Sequence, residues 1–162
     1  MYIAIKNVST PEDIALTAQL GQEIWHEHYD SLIGPDQVDY ILEHFQSVPA
    51  ITEQIAHGTT YLLAYWDDEP AGYCAFKPEE HKMFLSKIYV RRAYRKLGIA
   101  SAMFDQVQKA ALGKGCIYLT VNKHNSSSIA AYKKLGFAVA DEAVTDIGGG
   151  YVMDDYIMEK TL

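Results

Sequence analysis

The sequence has few cysteines and no long apolar run. Cys74 and Cys116 both lie in apolar segments, so we expect two buried, reduced thiols and no disulfide framework. No apolar stretch approaches the roughly 20 residues that span a bilayer. The first residues also lack the basic region and apolar core of a signal peptide. These absences favour a cytoplasmic protein with no membrane partner.

Motifs for metals and nucleotides are also absent. Without a CxxC or HExxH spacing we expect no metal site, and without GxxxxGK[ST] or GxGxxG a nucleotide-binding protein is disfavoured. The net charge of −7 argues against a nucleic-acid partner. With 162 residues, 49% apolar and 22% charged, the chain fits one globular domain spanning residues 1–162.

Positive charge is concentrated in one short segment. Six basic residues and no acid lie between Lys82 and Lys96, while the remainder of the chain is strongly acidic. Such a distribution suits a protein that holds an anionic ligand at one place and attracts a cationic molecule elsewhere.

Hydrophobic periodicity predicts elements in the order β–α–α–β–β–β–α–β–α–β–β, with a further short helix from Pro49 to His57. The first helix opens at Thr10-Pro11 and is predicted to reach about His28. Hairpins in the middle and at the end of the chain imply antiparallel pairs, whereas the strand–helix–strand unit 83–121 implies a parallel pair. We therefore predict an α/β fold, a mixed and largely antiparallel sheet with helices on both faces.

The segment after strand 83–90 has the features of an anion site. It reads Arg95-Lys96-Leu97-Gly98-Ile99-Ala100 and leads into an amphipathic helix. The first turn of a helix offers unpaired N–H groups. Gly98 lets the backbone approach a phosphate closely, and Arg95 adds a charged fork.

Two motifs resemble those of the GNAT N-acetyltransferases. The hexapeptide at 95–100 is similar to the R/Q-x-x-G-x-G/A motif by which that family holds the pyrophosphate of acetyl-CoA. LTVNKHNSSSIAAYKKLGF resembles the family's second cofactor motif, with Asn125, Tyr132, Gly136 and Phe137 in register. The resemblance implies the GNAT acyl-CoA N-acyltransferase fold, acetyl-CoA as co-substrate and no metal. Two departures are Arg92, where many relatives have Pro, and Lys96, where many have Gly.

The resemblance also implies roles for individual residues. Strands 83–90 and 116–121 would splay apart to admit the pantetheine, and an N–H near Ile88 would polarise the thioester carbonyl. Tyr132 would protonate the departing thiolate as general acid, while Asn125 would cap its helix and donate to the pantetheine. The implied cofactor-binding residues are Ile88, Tyr89, Val90, Arg95, Lys96, Leu97, Gly98, Ile99, Ala100, Ser101, Asn122, Asn125, Ser127 and Tyr132.

The general base is harder to identify. Many relatives carry a Glu on the strand that here contains Ser86 and Lys87. Glu23 and His26 on the first helix are the candidate bases, although a solvated helix face would show the same 3/4 spacing. Of Asp154 and Asp155, at most one faces a pocket, because neighbours in a strand point to opposite sides. The candidate substrate-binding residues are Trp25, Glu27, Tyr29 and Asp155.

Together these features predict transfer of an acetyl group from acetyl-CoA to a primary amine. Carboxylates and aromatics favour a cationic acceptor, and the tail GGYVMDDYIMEKTL is loosely similar to bacterial polyamine acetyltransferases. Other amino metabolites and an antibiotic amine remain open as acceptors. A protein N-terminal acetyltransferase and a non-catalytic acyl-CoA-binding module are the alternative functions. The resemblance also makes a homodimer an expectation.

Overall fold

The computed structural model describes residues 2–162. The strands are β1 (Ile3–Asn7), β2 (Thr60–Trp66), β3 (Glu69–Pro78), β4 (Lys82–Val90), β5 (Cys116–Asn122), β6 (Ala138–Gly148) and β7 (Tyr151–Thr161). The helices are α1 (Pro11–Ile33), α2 (Pro35–Phe45), α3 (Val48–Ala56), α4 (Ile99–Ala110) and α5 (Ser126–Lys134), with a 3-10 turn at Arg92–Tyr94. This succession confirms the predicted elements, including the short third helix.

Helix α1 is longer than predicted. It begins as expected, with the Thr10 hydroxyl accepting from the Asp13 N–H at 3.1 Å. It does not end near His28 but continues to Ile33 and stops at Gly34, whose φ of 88° no longer fits a helix. The added turn is held by packing, because Ile33 contacts the apolar cluster between α1 and α2.

The sheet has the order β1-β2-β3-β4-β5-β7-β6. Every neighbouring pair is antiparallel except β4 and β5, which confirms the predicted mixed sheet. Side chains of α4 such as Met103 and Val107 pack on one face. On the other face Ile24 of α1 and Ile51 of α3 pack against β2 and β3. Helices therefore cover both faces, as predicted.

Strands β4 and β5 are paired over only three residues each. The pairs run from Lys82 with Cys116 to Phe84 with Tyr118. Beyond them β5 pairs with β7, and β4 pairs with β3. The edge of β4 from Leu85 to Val90 that faces β5 consequently has no strand partner among residues 2–162. This split confirms the predicted divergence of the two strands.

A bulge in β4 reverses which side chains face each layer. The register with β3 shifts between Ala75 and Phe76, so Ser86 is an additional residue in β4. An extra residue exchanges the two faces of the following stretch. Lys87 therefore reaches α3, and Tyr89 packs among the side chains of α1.

The hairpin between β6 and β7 is docked on α2 through glycines. Gly148, Gly149 and Gly150 all have positive φ angles, of 90°, 62° and 82°. A Cβ on Gly148 or Gly149 would collide with the Tyr40 side chain. The Tyr40 hydroxyl donates to the Ile147 carbonyl at 2.7 Å. The glycines are therefore required both by the turn and by this close approach.

Both cysteines are free thiols. Cys74 is buried in the centre of β3, as predicted, but Cys116 opens β5 near the end of the sheet and is only partly buried. Within residues 2–162, no helix combines the length and apolar character that crossing a membrane requires.

Candidate active site

The start of α4 has the geometry of an anion site. Gly98 occupies the cap position with φ 84° and ψ 7°, and no side chain caps the helix. Helical hydrogen bonding begins with the Ala102 N–H on the Gly98 carbonyl at 3.0 Å. The N–H groups of the preceding turn are therefore free to bind a ligand. A Cβ on Gly98 would meet nothing within 4 Å, so the space above this turn is open.

The turn before α4 carries accessible positive charge. Arg95 and Lys96 are exposed, and among residues 2–162 no acid lies within ion-pair distance of either. Lys96 has φ 64°, the left-handed region that costs a side-chain-bearing residue about 1 kcal/mol. That conformation gives a physical reason for the glycine that many relatives carry at this position. The open turn and the two cations fit the diphosphate of coenzyme A.

The six basic residues of the 82–96 segment do not act together. The Arg91 Nε lies 2.6 Å from a Glu23 carboxylate oxygen, and the Arg92 Nε lies 2.9 Å from a Glu27 oxygen. Glu23 and Glu27, both predicted for the acceptor side, are therefore engaged by arginines of this segment. Within this segment, as the structure describes it, the exposed cations without an ion pair are Arg95 and Lys96, in the turn before α4.

Glu23 is poorly placed as a base. Both of its carboxylate oxygens accept from Arg91, at 2.6 and 3.2 Å. Together with Leu16 and Pro70 the pair lines a pocket on the outer side of α1. Both carboxylate oxygens are therefore committed to the guanidinium.

The structure also speaks against His26 as the base. Its Nδ1 lies 2.8 Å from Asp30 and its Nε2 lies 2.8 Å from Asp39. Burial lowers the pKa of His26, but the hydrogen bonds and charges of the two carboxylates outweigh it and raise the pKa overall. When the ring is protonated, both nitrogens donate to these carboxylates, and no lone pair is left to accept a further proton.

Aromatic side chains gather on the α1 side of the split. Trp25 stacks on Tyr29 with 4.2 Å between ring centroids and meets Tyr89 edge-on at 5.7 Å. Burial raises the pKa of Tyr89, and the charges of Tyr29 and Tyr132 contribute to the same shift. Trp25, Tyr29 and Tyr89 therefore form one aromatic cluster, which joins α1 to β4. The structure thus brings together predicted residues that are distant in the chain.

Asn125 connects α5 to α1. Its Oδ1 accepts from the Ser128 N–H at 3.3 Å, which confirms the predicted helix cap. The same oxygen accepts from His28 Nε2 at 3.0 Å, and its Nδ2 donates to the Tyr29 hydroxyl at 2.9 Å. Asn125 thus has partners inside the protein, and its donation to the cofactor stays a prediction. The contact with His28 was not predicted, because no local pattern relates residues 97 positions apart.

Tyr132 lies in α5 and is half-buried. Its ring meets Phe137 edge-on at 6.1 Å. Burial raises the pKa of Tyr132, with a further contribution from Tyr29, so the hydroxyl keeps its proton at neutral pH. This state is the one a general acid requires.

Lys87 stands on the strand where many relatives carry a carboxylate, but it is committed to the fold. Its ammonium donates to the Phe45 carbonyl at 2.6 Å, to Gln54 Oε1 at 3.0 Å and to the Tyr61 hydroxyl. Burial lowers the pKa of Lys87 to about 7. These three acceptors tie α2 and α3 to the sheet.

The structure separates Asp154 from Asp155. Asp154 pairs with Lys123 at 2.9 Å on the face that carries α5. Asp155 is 8% exposed, and its Oδ1 has no hydrogen-bond partner. Burial, and secondarily the charge of Asp154, raises the pKa of Asp155 to about 6. In register with it on β5 is Asn122, whose Oδ1 accepts from the His124 N–H at 2.9 Å.

No group of three or more His, Cys, Asp or Glu side chains among residues 2–162 is arranged to hold a metal ion.

Comparisons with known proteins agree with this geometry. The model of the Acetyltransferase (GNAT) family matches residues 21–137. The "Probable N-acetyltransferase san" of Drosophila melanogaster is 27% identical over 112 residues, which are 65% of this chain and 61% of that protein. The Bacillus subtilis protein YyaT is 24% identical over 153 residues, 92% of each chain.

Solved structures share the fold. The PaiA N-acetyltransferase of Thermoplasma acidophilum, solved in complex with coenzyme A, aligns over 100% of both chains with a TM-score of 0.84 and 23% identity. The ribosomal-protein-S18-alanine N-acetyltransferase of Escherichia coli aligns over 99% of this chain and 94% of its own, with a TM-score of 0.71 and 17% identity. The family match covers well over half of the chain. The chain therefore belongs to the GNAT family of acetyltransferases and, as the sequence predicted, is an acetyl-CoA-dependent N-acetyltransferase.

Proposed function

We propose that this protein acetylates a small cationic primary amine, with a polyamine as the first acceptor to test, through a single domain spanning residues 1–162. The observation that carries the proposal is the split between β4 and β5. The open turn at Gly98 follows the unpaired stretch of β4 along the chain, and Tyr89 within that stretch packs against Trp25. Tyr132 lies on α5, the helix that follows β5.

The chain's own groups suit each part of the co-substrate. The amides of the first turn of α4, with Arg95 and Lys96, would bind the diphosphate. The free edge of β4 around Ile88 would pair with the amides of the pantetheine, as an added strand does. Acetyl-CoA supplies an activated acyl group as a thioester. Tyr132 would give its proton to the departing sulfur.

The acceptor side favours a positively charged amine. The chain has a net charge of −7, which attracts cations over long range. Trp25 and Tyr29 form a buried aromatic cluster on this side, and cations bind favourably at aromatic rings. Asp155 offers a buried carboxylate oxygen without a partner.

A protein N-terminus is the second candidate acceptor. It is favoured by the relatives themselves, since one solved neighbour is named for acetylating the alanine of a ribosomal protein. An N-terminal acetyltransferase would accept peptides and reject diamines, whereas the proposed enzyme would show the reverse preference.

We also propose a homodimer. Strand β6 is an edge strand of the sheet, and most of its side chains are exposed, with Val144 70% exposed. An open edge and apolar side chains favour pairing with a second copy. Sedimentation velocity would show a species of twice the chain mass, and a purely monomeric protein would refute this part of the proposal.

The main experiment measures thiol release from acetyl-CoA with a panel of diamines, amino sugars and peptides. Calorimetry with coenzyme A accompanies it, on the wild type, on Gly98→Glu and on Gly113→Glu. Gly113 is the matched control, because it also has a positive φ and open space at its Cβ but lies at the other end of α4. We expect Gly98→Glu to abolish binding and Gly113→Glu to preserve it. No heat from the wild type would refute the cofactor assignment.

A further inference from the structure

Asp155 lies in the middle of β7, at the end of the ladder that β7 forms with β5. It is in register with Asn122, the last residue of β5, and β5 leaves β4 after Tyr118. Two residues earlier on the same strand, Met153 packs against the cluster formed by α1 and α2. Because alternate residues of a strand share a face, Asp155 points to the same side as Met153. That side is the one occupied by the aromatic cluster.

The carboxylate of Asp155 has no compensating charge. Among residues 2–162 no cation lies within ion-pair distance of it, and its Oδ1 accepts no hydrogen bond. Its charge helps to raise the pKa of Tyr29 on α1, and the charge of Asp154 on its own strand helps to raise its own pKa. The facing residues are neutral, Asn122 on β5 and Ala143 on β6. A buried, unpaired carboxylate is costly, so a cationic ligand at this place would relieve the cost.

The Tyr29 hydroxyl is oriented by its neighbours. It accepts a hydrogen bond from Asn125 Nδ2 at 2.9 Å, and Asn125 is itself held by His28. With that lone pair occupied, the hydroxyl proton is directed away from Asn125. An amine held between this hydroxyl and Asp155 would have its nitrogen lone pair and its protons placed by two fixed groups.

We infer that Asp155 is the base that removes a proton from the acceptor ammonium, an inference that rests on the proposed function. The ammonium gives one proton to the Asp155 carboxylate, which later passes it to water. The neutral nitrogen then forms the C–N bond to the acyl carbon as the C–S bond breaks. Tyr132 gives its proton to the sulfur and recovers one from the nitrogen, which is left with a single N–H. One proton is released overall.

The inference is tested with Asp155→Asn, and Asp154→Asn is the matched control from the opposite face of the strand. With acetyl-CoA and 1,4-diaminobutane, we expect Asp155→Asn to lower kcat by ~10²–10⁴-fold, the usual contribution of a general base. Asp154→Asn should remain within about threefold of the wild type. The acid limb of the wild-type kcat/KM profile, with a midpoint near pH 6 as the pKa of Asp155 requires, should disappear in Asp155→Asn only.

Two further measurements separate a base from a binding group or a structural one. With a fluorinated ethylamine that is already neutral at pH 7.5, Asp155→Asn should lose much less activity than with 1,4-diaminobutane, because no first proton need be removed. Carbon NMR of the Asp155 carboxyl should show its midpoint falling when 1,4-diaminobutane binds.

A raised KM with unchanged kcat, equal losses with both amines, or a carboxyl midpoint that the diamine does not move would each overturn the inference. Failure of the proposed function would look different, since the wild type would then give no heat with coenzyme A and no turnover with any amine.

Discussion

A buried carboxylate without a partner lowers the free energy of unfolding when it is ionised, and Asp155 is such a group. Its pKa is about 6 in the folded protein against 3.8 for the free group. The folded state therefore binds the proton more tightly, and stability falls as the pH rises through the interval between these two values. The full loss is about 3 kcal/mol, since one pKa unit corresponds to about 1.4 kcal/mol.

Asp155→Asn removes this dependence. We expect the unfolding free energy of the variant, relative to wild type, to rise by about 2 kcal/mol between pH 4.5 and pH 7.5, where most of the ionisation falls. Any free-energy cost of burying the new Asn side chain is the same at both pH values, so it cancels when the two are compared. Urea unfolding followed by circular dichroism at both pH values, with linear extrapolation, measures it.

Asp154→Asn is again the control, because Asp154 is paired with Lys123 near the surface. Its removal should change the unfolding free energy by less than about 1 kcal/mol at either pH. If the unfolding free energies of Asp155→Asn and wild type differ by the same amount at pH 4.5 and 7.5, folding does not raise the pKa of Asp155 and the reasoning fails.

Three other variants test separate parts of the site. Tyr132→Phe should keep coenzyme A affinity in calorimetry while lowering turnover by ~10²–10⁴-fold, and equal turnover would remove Tyr132 from the mechanism. His26→Gln should keep kcat within about threefold at pH 7.5, because that ring is already committed to two carboxylates; a loss of 100-fold would restore it as a candidate base. Lys96→Gly should be about 1 kcal/mol more stable in urea than Lys96→Ala, since only glycine accepts φ 64° without cost; equal stabilities would contradict the strained turn.

The elements and the cofactor site could be predicted because their signals are local. Thr10 and Pro11 together mark the start of α1, as a cap and a first-turn proline. Gly98 marks the start of α4, shortly after strand β4. Such signals need only a few neighbouring residues. The length of α1 was underestimated because its last turn is supported by α2, to which no pattern within α1 refers.

The acceptor side was predicted less well because its chemistry depends on distant partners. The 3/4 spacing of acids on α1 was visible, but Arg91 and Asp39, which neutralise Glu23 and His26, come from other elements. Alternation showed that Asp154 and Asp155 diverge. Asp155 is the buried one because its face of β7 packs towards α1. The sequence of β7 alone does not show which face α1 covers.

The narrow junction between β4 and β5 has a consequence for the whole molecule. Among residues 2–162, three backbone-paired positions connect the four strands β1 to β4 with the three strands β5, β7 and β6. A molecule bound between β4 and β5 would add hydrogen bonds across the gap and so connect the two parts of the sheet more firmly. Ligand binding to the folded state raises the unfolding free energy by RT ln(1 + [L]/Kd). The amides along the gap should therefore exchange with solvent more slowly when coenzyme A is abundant, so the rigidity of this enzyme would follow the supply of its own co-substrate.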